Sequence, residues 1–141
     1  MQKYQDTCCA LIKQINDRLE KFANNSLRKE DLTMMQIAVL VELDSSDKQE
    51  ASLKTLEQIF GVSQPTMYGI VRRLEQKGLV ETYPSPHEKR TKIVKINDAG
   101  KAKCTFGYGY MAQSEAKLLK ALSEDEQATL HDLLDKINAS L

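Results

Sequence analysis

The sequence contains three cysteines and two histidines, residue types that often act as nucleophiles or zinc ligands: Cys8, Cys9, Cys104, His87 and His131. A thiol attacks or binds zinc as the thiolate, which needs a neighbouring base, cation or metal. The spacing of the five forms neither a paired metal-ligand motif nor a cysteine–histidine site, so we expect no catalytic residues, no metal and no cofactor. An odd number of cysteines without paired spacing also favours a reducing compartment.

Residues 107–112 read Gly-Tyr-Gly-Tyr-Met-Ala, which matches the G-x-G-x-x-A pattern of dinucleotide-binding sites. That pattern binds a pyrophosphate where it follows a strand and opens a helix. Here a helical pattern runs through it and no strand precedes it, so a nucleotide site is not predicted. Because each glycine costs a helix interior about 1 kcal/mol relative to alanine, we interpret the glycines as a kink or a close helix crossing.

The charged residues are unevenly distributed along the chain. The 141 residues have no net charge and are 41% hydrophobic and 28% charged, which is typical of a soluble globular protein. Residues 64–103 nevertheless contain nine basic and four acidic residues, a balance of +5. A basic segment between acidic flanks indicates that one region meets a polyanion. The longest apolar run is too short to span a membrane and no signal-peptide pattern is present, so a cytoplasmic location is expected.

Hydrophobic periodicity predicts helices at both ends of the chain. In the first, a stripe repeats every three or four residues until Asn24-Asn25-Ser26 end the helix, and Cys8 is expected to be a small core residue. The stripe comprises Tyr4, Cys8, Leu11, Ile15, Leu19 and Phe22. The other end is predicted to hold a long helix from Asn97 to about residue 122 and a last helix opened by a Ser123–Glu126 capping box. The last helix carries Leu130, Leu133, Leu134, Ile137 and Leu141 on one side. A chain of this size has no large core to cover both stripes. We therefore expect the two stripes to contact each other or a second subunit.

Cap residues divide the middle of the chain into three helices. Thr33 and Gln36 form a capping box before the apolar residues 37–43, which are expected to be the most buried, and a polar loop follows at 44–50. Ser52 is the predicted N-cap of a short helix at 53–60 that Gly61 ends. Its inward-facing residues are predicted to be Leu53, Leu56, Ile59 and Phe60. Ser63 is the predicted N-cap of the next helix, at 64–77, and Gly78 closes it.

The last two of these helices, joined by Gly61-Val62-Ser63, have the spacing of a helix-turn-helix. Five apolar residues are expected to anchor the second helix to the body: Val62, Met67, Ile70, Val71 and Leu74. The opposite face is then free to enter the major groove of DNA, which admits one α-helix, and Gly69 permits close approach there. The predicted DNA contacts of this helix are Ser63, Gln64, Thr66, Tyr68, Arg72, Arg73 and Lys77, the last two to phosphates.

A charged β-hairpin follows the helix-turn-helix. Two β-like runs at 79–83 and 92–96 enclose a tip of turn formers and charge, of a size to lie along a minor groove or a backbone. The further predicted DNA contacts are His87, Lys89, Arg90 and Lys92. A basic β-ribbon is not expected beside a helical hairpin whose only role is packing. The remaining alternative is a winged helix that binds protein and not DNA.

With these motifs on the chain, the sequence resembles the MarR family of multiple antibiotic resistance regulators along nearly its whole length. The resemblance rests on residues 32–36, 56–63, 71–80 and 90–100, and is most specific in residues 74–80 and in the passage from wing to helix. It implies one mainly α domain with a small β-hairpin wing. Within it, a winged helix-turn-helix lobe occupies residues 33–97, and residues 1–25 and 98–141 form a helical dimerisation region. It also implies a homodimer that binds a near-palindromic operator in double-stranded DNA, usually as a repressor.

Small ligands of that family act in a cleft between the dimer base and the DNA lobe. The resemblance makes five residues candidate lining of such a cleft: Met34, Phe106, Tyr108, Tyr110 and Met111. Their side chains would favour a small aromatic or apolar effector. The alternative is that the aromatic residues are ordinary core residues.

The wing departs from the family pattern. That pattern usually carries Asp-x-Arg, whose arginine reaches the minor groove. With Arg90 aligned, Ser85 and His87 stand in those places. The departure implies weaker anchoring of the wing, or anchoring by Lys89 and Arg90.

Cys9 is the candidate for redox regulation. The peroxide-sensing branch of the family has a reactive cysteine in the first helix about two dozen residues before the threonine of the second, which is the spacing of Cys9 and Thr33. That branch holds its thiolate with tyrosines, where this chain has Ala23 and Met34. Apolar surroundings without a positive partner would leave the thiol sluggish, so we expect a ligand as the signal and keep oxidation of Cys9 as the alternative.

Overall fold

The computed structural model describes all 141 residues and contains six α-helices and one small sheet. The helices are α1 (Cys8–Leu27), α2 (Met34–Ser45), α3 (Leu53–Phe60), α4 (Gln64–Gln76), α5 (Asp98–Leu119) and α6 (Glu124–Ser140). The strands are β1 (Glu50–Ser52), β2 (Val80–Pro84) and β3 (Lys92–Ile96). The predicted mainly α fold with a β-hairpin is confirmed. None of the helices has the length and apolar character that crossing a bilayer requires.

The helix starts lie where the cap residues predicted them. Thr33 and Gln36 form a complete capping box, in which the Thr33 hydroxyl accepts from the Gln36 amide at 3.2 Å and the Gln36 side chain accepts from the Thr33 amide at 3.1 Å. Ser52 and Ser63 cap α3 and α4 with their hydroxyls. Gly61, between those helices, has φ +62°, a backbone conformation that a residue with a Cβ rarely adopts.

The sheet has the order β1-β3-β2, and both pairings are antiparallel. Strands β2 and β3 form the predicted hairpin, with Thr82 opposite Val94. Strand β1 was not predicted. The predicted bounds of the polar loop, 44–50, are wrong at both ends. Helix α2 continues to Ser45, and Glu50 already pairs with Lys95 of β3. Three residues show no alternation from which a strand can be recognised, and β1 exists because β3 offers it hydrogen bonds.

The core of residues 1–110 lies where α2, α3 and α4 meet the sheet. Its fully buried side chains include Leu40, Leu43, Leu56, Met67, Leu74 and Val94. These residues come from α2, both helices of the helix-turn-helix and the wing strand β3. The DNA-reading elements predicted from the sequence therefore share one core.

Three expectations about individual positions were wrong. Helix α1 does not end at residues 24–26 but continues to Leu27, which is 2% exposed, so burial overrides the weak helix propensity of the polar residues before it. Cys8 is exposed and not part of the core. Ile59 of α3 does not face inward, since 50% of it is exposed.

Two of the three glycines of α5 lie at close contacts, and the predicted close crossing is confirmed for Gly107 of the dinucleotide-like run but not for Gly109. A Cβ on Gly107 would lie 3.1 Å from methyl groups of Ile37 and Val41 of α2. The contact at Gly100 is tighter, because a Cβ there would lie 2.3 Å from the backbone oxygen of Leu79. Gly109, by contrast, has open space around it.

Residues 111–141 form a second compact unit, which consists of the last turns of α5 and all of α6. The predicted Ser123–Glu126 capping box is present, and it lowers the pKa of Glu126 through the hydrogen bond from the Ser123 amide. Gln127 closes the end of α5 by donating to the carbonyls of Leu119 and Leu122, at 3.2 and 3.1 Å.

Candidate nucleic-acid interface

Helix α4 has one buried face and one exposed face. Met67, Val71 and Leu74 are at most 3% exposed and anchor the helix to the core, while Val62 and Ile70 are half-buried. Gln64, Thr66, Tyr68 and Arg72 are exposed on the remaining surface. A Cβ on Gly69 would meet nothing within 4 Å, so this face is also open where the backbone is nearest to the surface.

The first turn of α4 is organised by Ser63. Its hydroxyl accepts from the amide of Thr66 at 3.4 Å and donates to the Thr66 hydroxyl at 2.9 Å. The two hydroxyls that were predicted to contact DNA are thus also bonded to each other. The side chain of Gln64 beside them makes no hydrogen bond within the chain, so its amide is available for a base edge.

A groove of about 770 Å³ lies between α4 and the wing. Its lining comprises Leu53, Lys54, Glu57, Gln64, Tyr68, Glu88, Lys89, Arg90, Thr91 and Lys92. The groove brings together predicted contacts from two separate elements, the exposed start of α4 and the wing. Lys54 was missed by the sequence analysis, although its place on the polar side of α3, opposite Leu56, was a usable signal.

The base of the wing is tied to its surroundings. The hydroxyl of Tyr83 in β2 donates to the carboxylate of Glu50 in β1, and the hydroxyl of Thr82 donates to Glu75 of α4. These bonds connect both the sheet edge and the recognition helix to the hairpin. They hold the wing at a set distance from α4.

Ser85 has a defined role at the wing tip. Its hydroxyl accepts from the amides of His87 and Glu88 at 3.2 and 3.3 Å, and its own amide donates to the carbonyl of Thr91. A short oxygen-bearing side chain is what such a turn needs. The serine at this position therefore closes the tip, and His87 beside it is exposed.

The basic residues of segment 64–103 divide into two groups. Four of them bond to other parts of the chain, and these are Lys77, Lys95, Lys101 and Lys103. The side chains of the other five make no hydrogen bond or ion pair within the chain, and these are Arg72, Arg73, Lys89, Arg90 and Lys92. All five lie on α4 or the wing. Three of these five, Lys89, Arg90 and Lys92, line the groove, and Arg72 and Arg73 lie on the exposed side of α4.

The side chain of Lys77, by contrast, has partners within the chain. Its ammonium group donates to the backbone carbonyl of Asp31, lies 3.3 Å from the side-chain oxygen of Gln36, and lies 3.7 Å from the Asp31 carboxylate. Lys77 was predicted to contact a phosphate. In the structure its ammonium group instead bonds to residues more than 40 positions earlier in the chain.

The candidate cleft residues of the first unit lie in different environments. Tyr110 is 8% exposed and its ring stacks on Phe22, whereas Tyr108 is 44% exposed and its hydroxyl donates to Asp44 at 2.8 Å. That hydrogen bond raises the pKa of Tyr108. Phe106 is half-buried and Met34 is exposed. Met111, in the second unit, is exposed.

The three cysteines are free thiols in two environments. Cys104 is 2% exposed, and burial raises its pKa to about 11, with a smaller contribution from the Asp44 carboxylate. Cys9 is exposed, so the expected apolar surroundings are not provided by this chain.

The exposed α4 face, the tight turn before it and the tied hairpin define a winged helix-turn-helix protein. Among known proteins, the profile of the MarR family matches residues 30–91, which span the end of the α1–α2 connection, the helix-turn-helix and most of the wing. The multiple antibiotic resistance protein MarR of Escherichia coli is 31% identical over 130 residues, which cover 90% of this chain and 88% of that protein.

Solved structures extend the likeness to the whole fold. A probable transcriptional regulator from Pseudomonas aeruginosa superposes with a TM-score of 0.86 at 27% identity, covering 96% of this chain and 99% of that one. A cysteine-to-serine mutant of Escherichia coli MarR in complex with operator DNA gives a TM-score of 0.84 at 28% identity, covering 97% and 99%. The chain belongs to the MarR family of transcriptional regulators.

Proposed function

We propose that this protein is a sequence-specific transcriptional regulator that binds a near-palindromic operator in double-stranded DNA as a homodimer and represses the genes beside it. The observation that carries the proposal is the surface of α4 and the wing. It combines a polar helix face, room at Gly69 and five cations without internal partners. The structure of the Escherichia coli relative in complex with operator DNA supports the same use of this fold.

Each part of the surface has a distinct role in the proposal. Gln64 and Thr66 lie at the start of α4, the part of a recognition helix that reaches base edges. Arg72 and Arg73 follow on the exposed side, where phosphates flank the major groove. Lys89, Arg90 and Lys92 of the wing follow the neighbouring backbone or minor groove.

The homodimer is proposed from apolar side chains that the chain leaves exposed at both ends. In the first unit they are Tyr4, Leu11, Ile12 and Ile15, and in the second Leu133, Leu134, Ile137 and Leu141. No residue of α6 is buried within the chain. An isologous dimer would cover these faces, and its symmetry requires operator half-sites about 10 base pairs apart or a multiple of that distance.

The test begins with selection of duplexes from a random pool by the full-length protein. We expect the selected sequences to share an inverted repeat. Binding to that duplex is then measured over a salt titration for the wild type, Arg72→Ala, Arg90→Ala and a control, Lys21→Ala, in which an exposed cation of α1 off the proposed dimer face is removed. Loss of a phosphate contact lowers the log–log salt slope by about 1, and loss of a base contact costs about 1–3 kcal/mol at one position.

The control variant should bind as the wild type does. A wild type that selects no sequence and binds duplexes without a steep salt dependence would refute the proposal and favour a winged helix that binds protein. Wild-type behaviour of both Arg72→Ala and Arg90→Ala would instead show that DNA binds elsewhere on the chain.

For regulation we propose relief of repression by a small ligand and not by oxidation of Cys9. The residues that support a ligand are the aromatic side chains along α5. The exposure of Cys9 weakens one reason against oxidation, so a direct test is needed. Operator binding is measured with and without stoichiometric organic peroxide in the wild type and Cys9→Ser. Release of DNA by the oxidised wild type alone would establish the redox alternative, and insensitivity of both would favour the ligand.

A further inference from the structure

Two lysines of the basic segment converge on one short turn that does not line the groove. The turn comprises a 3₁₀ helix, Arg28–Glu30, and Asp31, and it connects α1 to α2. Lys77, at the end of α4, reaches Asp31 and Gln36. Lys103 of α5 places its ammonium group 2.9 Å from the carboxylate of Glu30, with both side chains about one third exposed. We call residues 28–31 the junction turn.

The backbone of the junction turn has a defined conformation. Asp31 has φ 54°, in the left-handed region, where aspartate is among the few residues other than glycine that occur regularly. Its backbone amide donates to the carbonyl of Arg28 at 3.3 Å, which closes the turn and leaves the Asp31 carbonyl for Lys77. The carboxylate of Asp31 is almost fully exposed and lies 3.7 Å from the ammonium group of Lys77.

Gln36 connects the junction turn to the core. It is 3% exposed and is the one buried polar side chain of this chain's core. Its side-chain oxygen accepts both from the Thr33 amide, as part of the capping box of α2, and from Lys77. If Lys77 left for a phosphate, it would give up a buried acceptor and a backbone carbonyl at the same time.

We propose that Lys77 is a positioning residue for DNA recognition: it fixes the end of α4 against the junction turn, and the Lys103–Glu30 pair ties that turn to α5. The proposal rests on the proposed function, since recognition means operator binding by α4. Side chains that read bases must be held to within about 0.5 Å, which requires support from residues behind them. Through the junction turn, a displacement of α5 is transmitted to the recognition helix.

The decisive experiment compares lysine and arginine in the last part of α4. Lys77→Gln removes the internal bonds, and Arg73→Gln, the matched control, removes an exposed cation without an internal partner four residues earlier. Both are titrated with salt on the selected operator, after circular dichroism has shown that they are folded. We expect Arg73→Gln to lower the salt slope by about 1. We expect Lys77→Gln to weaken binding about fivefold at every salt concentration with the slope unchanged.

Two results for Lys77→Gln would overturn the proposal. A slope lowered by about 1 would make Lys77 a phosphate contact. If the folded variant bound the operator with wild-type affinity, the hydrogen bonds of Lys77 would contribute to the fold and not to DNA recognition.

The link to α5 has its own test in the double variant. Lys103→Gln alone should also weaken binding with the slope unchanged. In Lys77→Gln/Lys103→Gln the second change should add less than it does alone, because both loosen the same turn. Fully additive effects would show that Lys103 does not act through the junction turn.

One measurement is independent of DNA. Amide hydrogen exchange of the free protein should show reduced protection of residues 74–78 in Lys77→Gln. Unchanged protection there would overturn the positioning role even if the wild type bound no operator. A wild type that binds no operator, with reduced protection in Lys77→Gln, would count against the proposed function alone.

Discussion

The winged-helix lobe and the terminal helices use similar amounts of apolar sequence in opposite ways. In the lobe, Leu56, Met67 and Leu74 are completely buried within the chain. At the ends, Ile12 and Ile137 remain 53% and 51% exposed. Because apolar surface left in water is a loss of about 25 cal/mol per Å² relative to burial, the exposed faces of the ends would gain from a partner, whereas the apolar side chains of the lobe are already covered. If the proposed homodimer forms through the ends, mutations should separate the stability of the lobe from dimerisation.

The largest effect is expected from charge on the terminal helices. Ile12→Lys combined with Ile137→Lys should give a monomer by analytical ultracentrifugation, because two ammonium groups cannot be buried unpaired in an apolar interface. A monomer has one α4 and one wing, and loss of the second copy should weaken operator binding by about 100-fold or more.

The lobe supplies a matched control for this prediction. Ile59→Lys changes the same residue type at the same exposure, 50%, on α3. It should keep the mass of the wild type. If Ile59→Lys dissociated the dimer and the terminal variant did not, the assignment of the two regions would be reversed.

The next effect is on folding and concerns the passage from wing to α5. A Cβ on Gly100 would collide with the backbone oxygen of Leu79 and the side chain of Ile96. We therefore expect Gly100→Ala to lower the free energy of unfolding by about 3 kcal/mol. Gly109→Ala, in open space on the same helix, should raise it by up to about 1 kcal/mol. Urea denaturation of both variants measures the difference, and similar values for the two would contradict the packing described here.

Gly69 separates stability from DNA binding within the lobe itself. Gly69→Ala on α4 has room for its methyl group in the free protein, so the free energy of unfolding should rise by up to about 1 kcal/mol. If DNA approaches this face closely, operator binding should weaken by about tenfold, as an added methyl group does in a tight interface. Unchanged affinity in the more stable variant would show that DNA keeps its distance from Gly69.

The smallest effect concerns Cys104 and pH. In the unfolded chain its thiol ionises near the ordinary pKa of 9.0, and in the folded protein near 11. Between these values the folded protein retains a proton that the unfolded chain has lost, so this thiol makes the free energy of unfolding fall as pH rises. Denaturation at several pH values from 8 to 11 should show a shallower decline in Cys104→Ala than in the wild type. Parallel curves would show that burial does not hold the thiol protonated.

Much of the lobe was predictable because its signals are local. The Thr33–Gln36 capping box, Ser52, Ser63 and Gly61 each act within three or four residues, and their helices begin or end as predicted. The hairpin was predictable from two β-like runs with a charged tip. Strand β1 was not, because its only partner is β3, more than 40 residues later.

The residues of the candidate site were predictable, but which of them bond to the protein and which remain without an internal partner was not. Sequence patterning identified the exposed side of α4 and the basic wing. It could not separate Arg73, which has no internal partner, from Lys77, which has three acceptors within reach. Both are basic residues near the end of the same helix, and only their distant neighbours differ. The same limit applies to Ser85, whose role at the wing tip depends on the backbone of His87 and Glu88.

The sequence by itself determined the order of the helices, the caps that begin them, the helix-turn-helix and the sign of charge on the segment that follows. These depend on interactions over a few residues or on composition. Only the tertiary structure decided which cations remain without internal partners, that α1 continues to Leu27, that Cys8 and Ile59 are exposed, and that Lys77 and Lys103 meet at one turn. Each of these depends on residues 40 or more positions apart or on burial against another element, and no periodicity along the chain encodes such contacts.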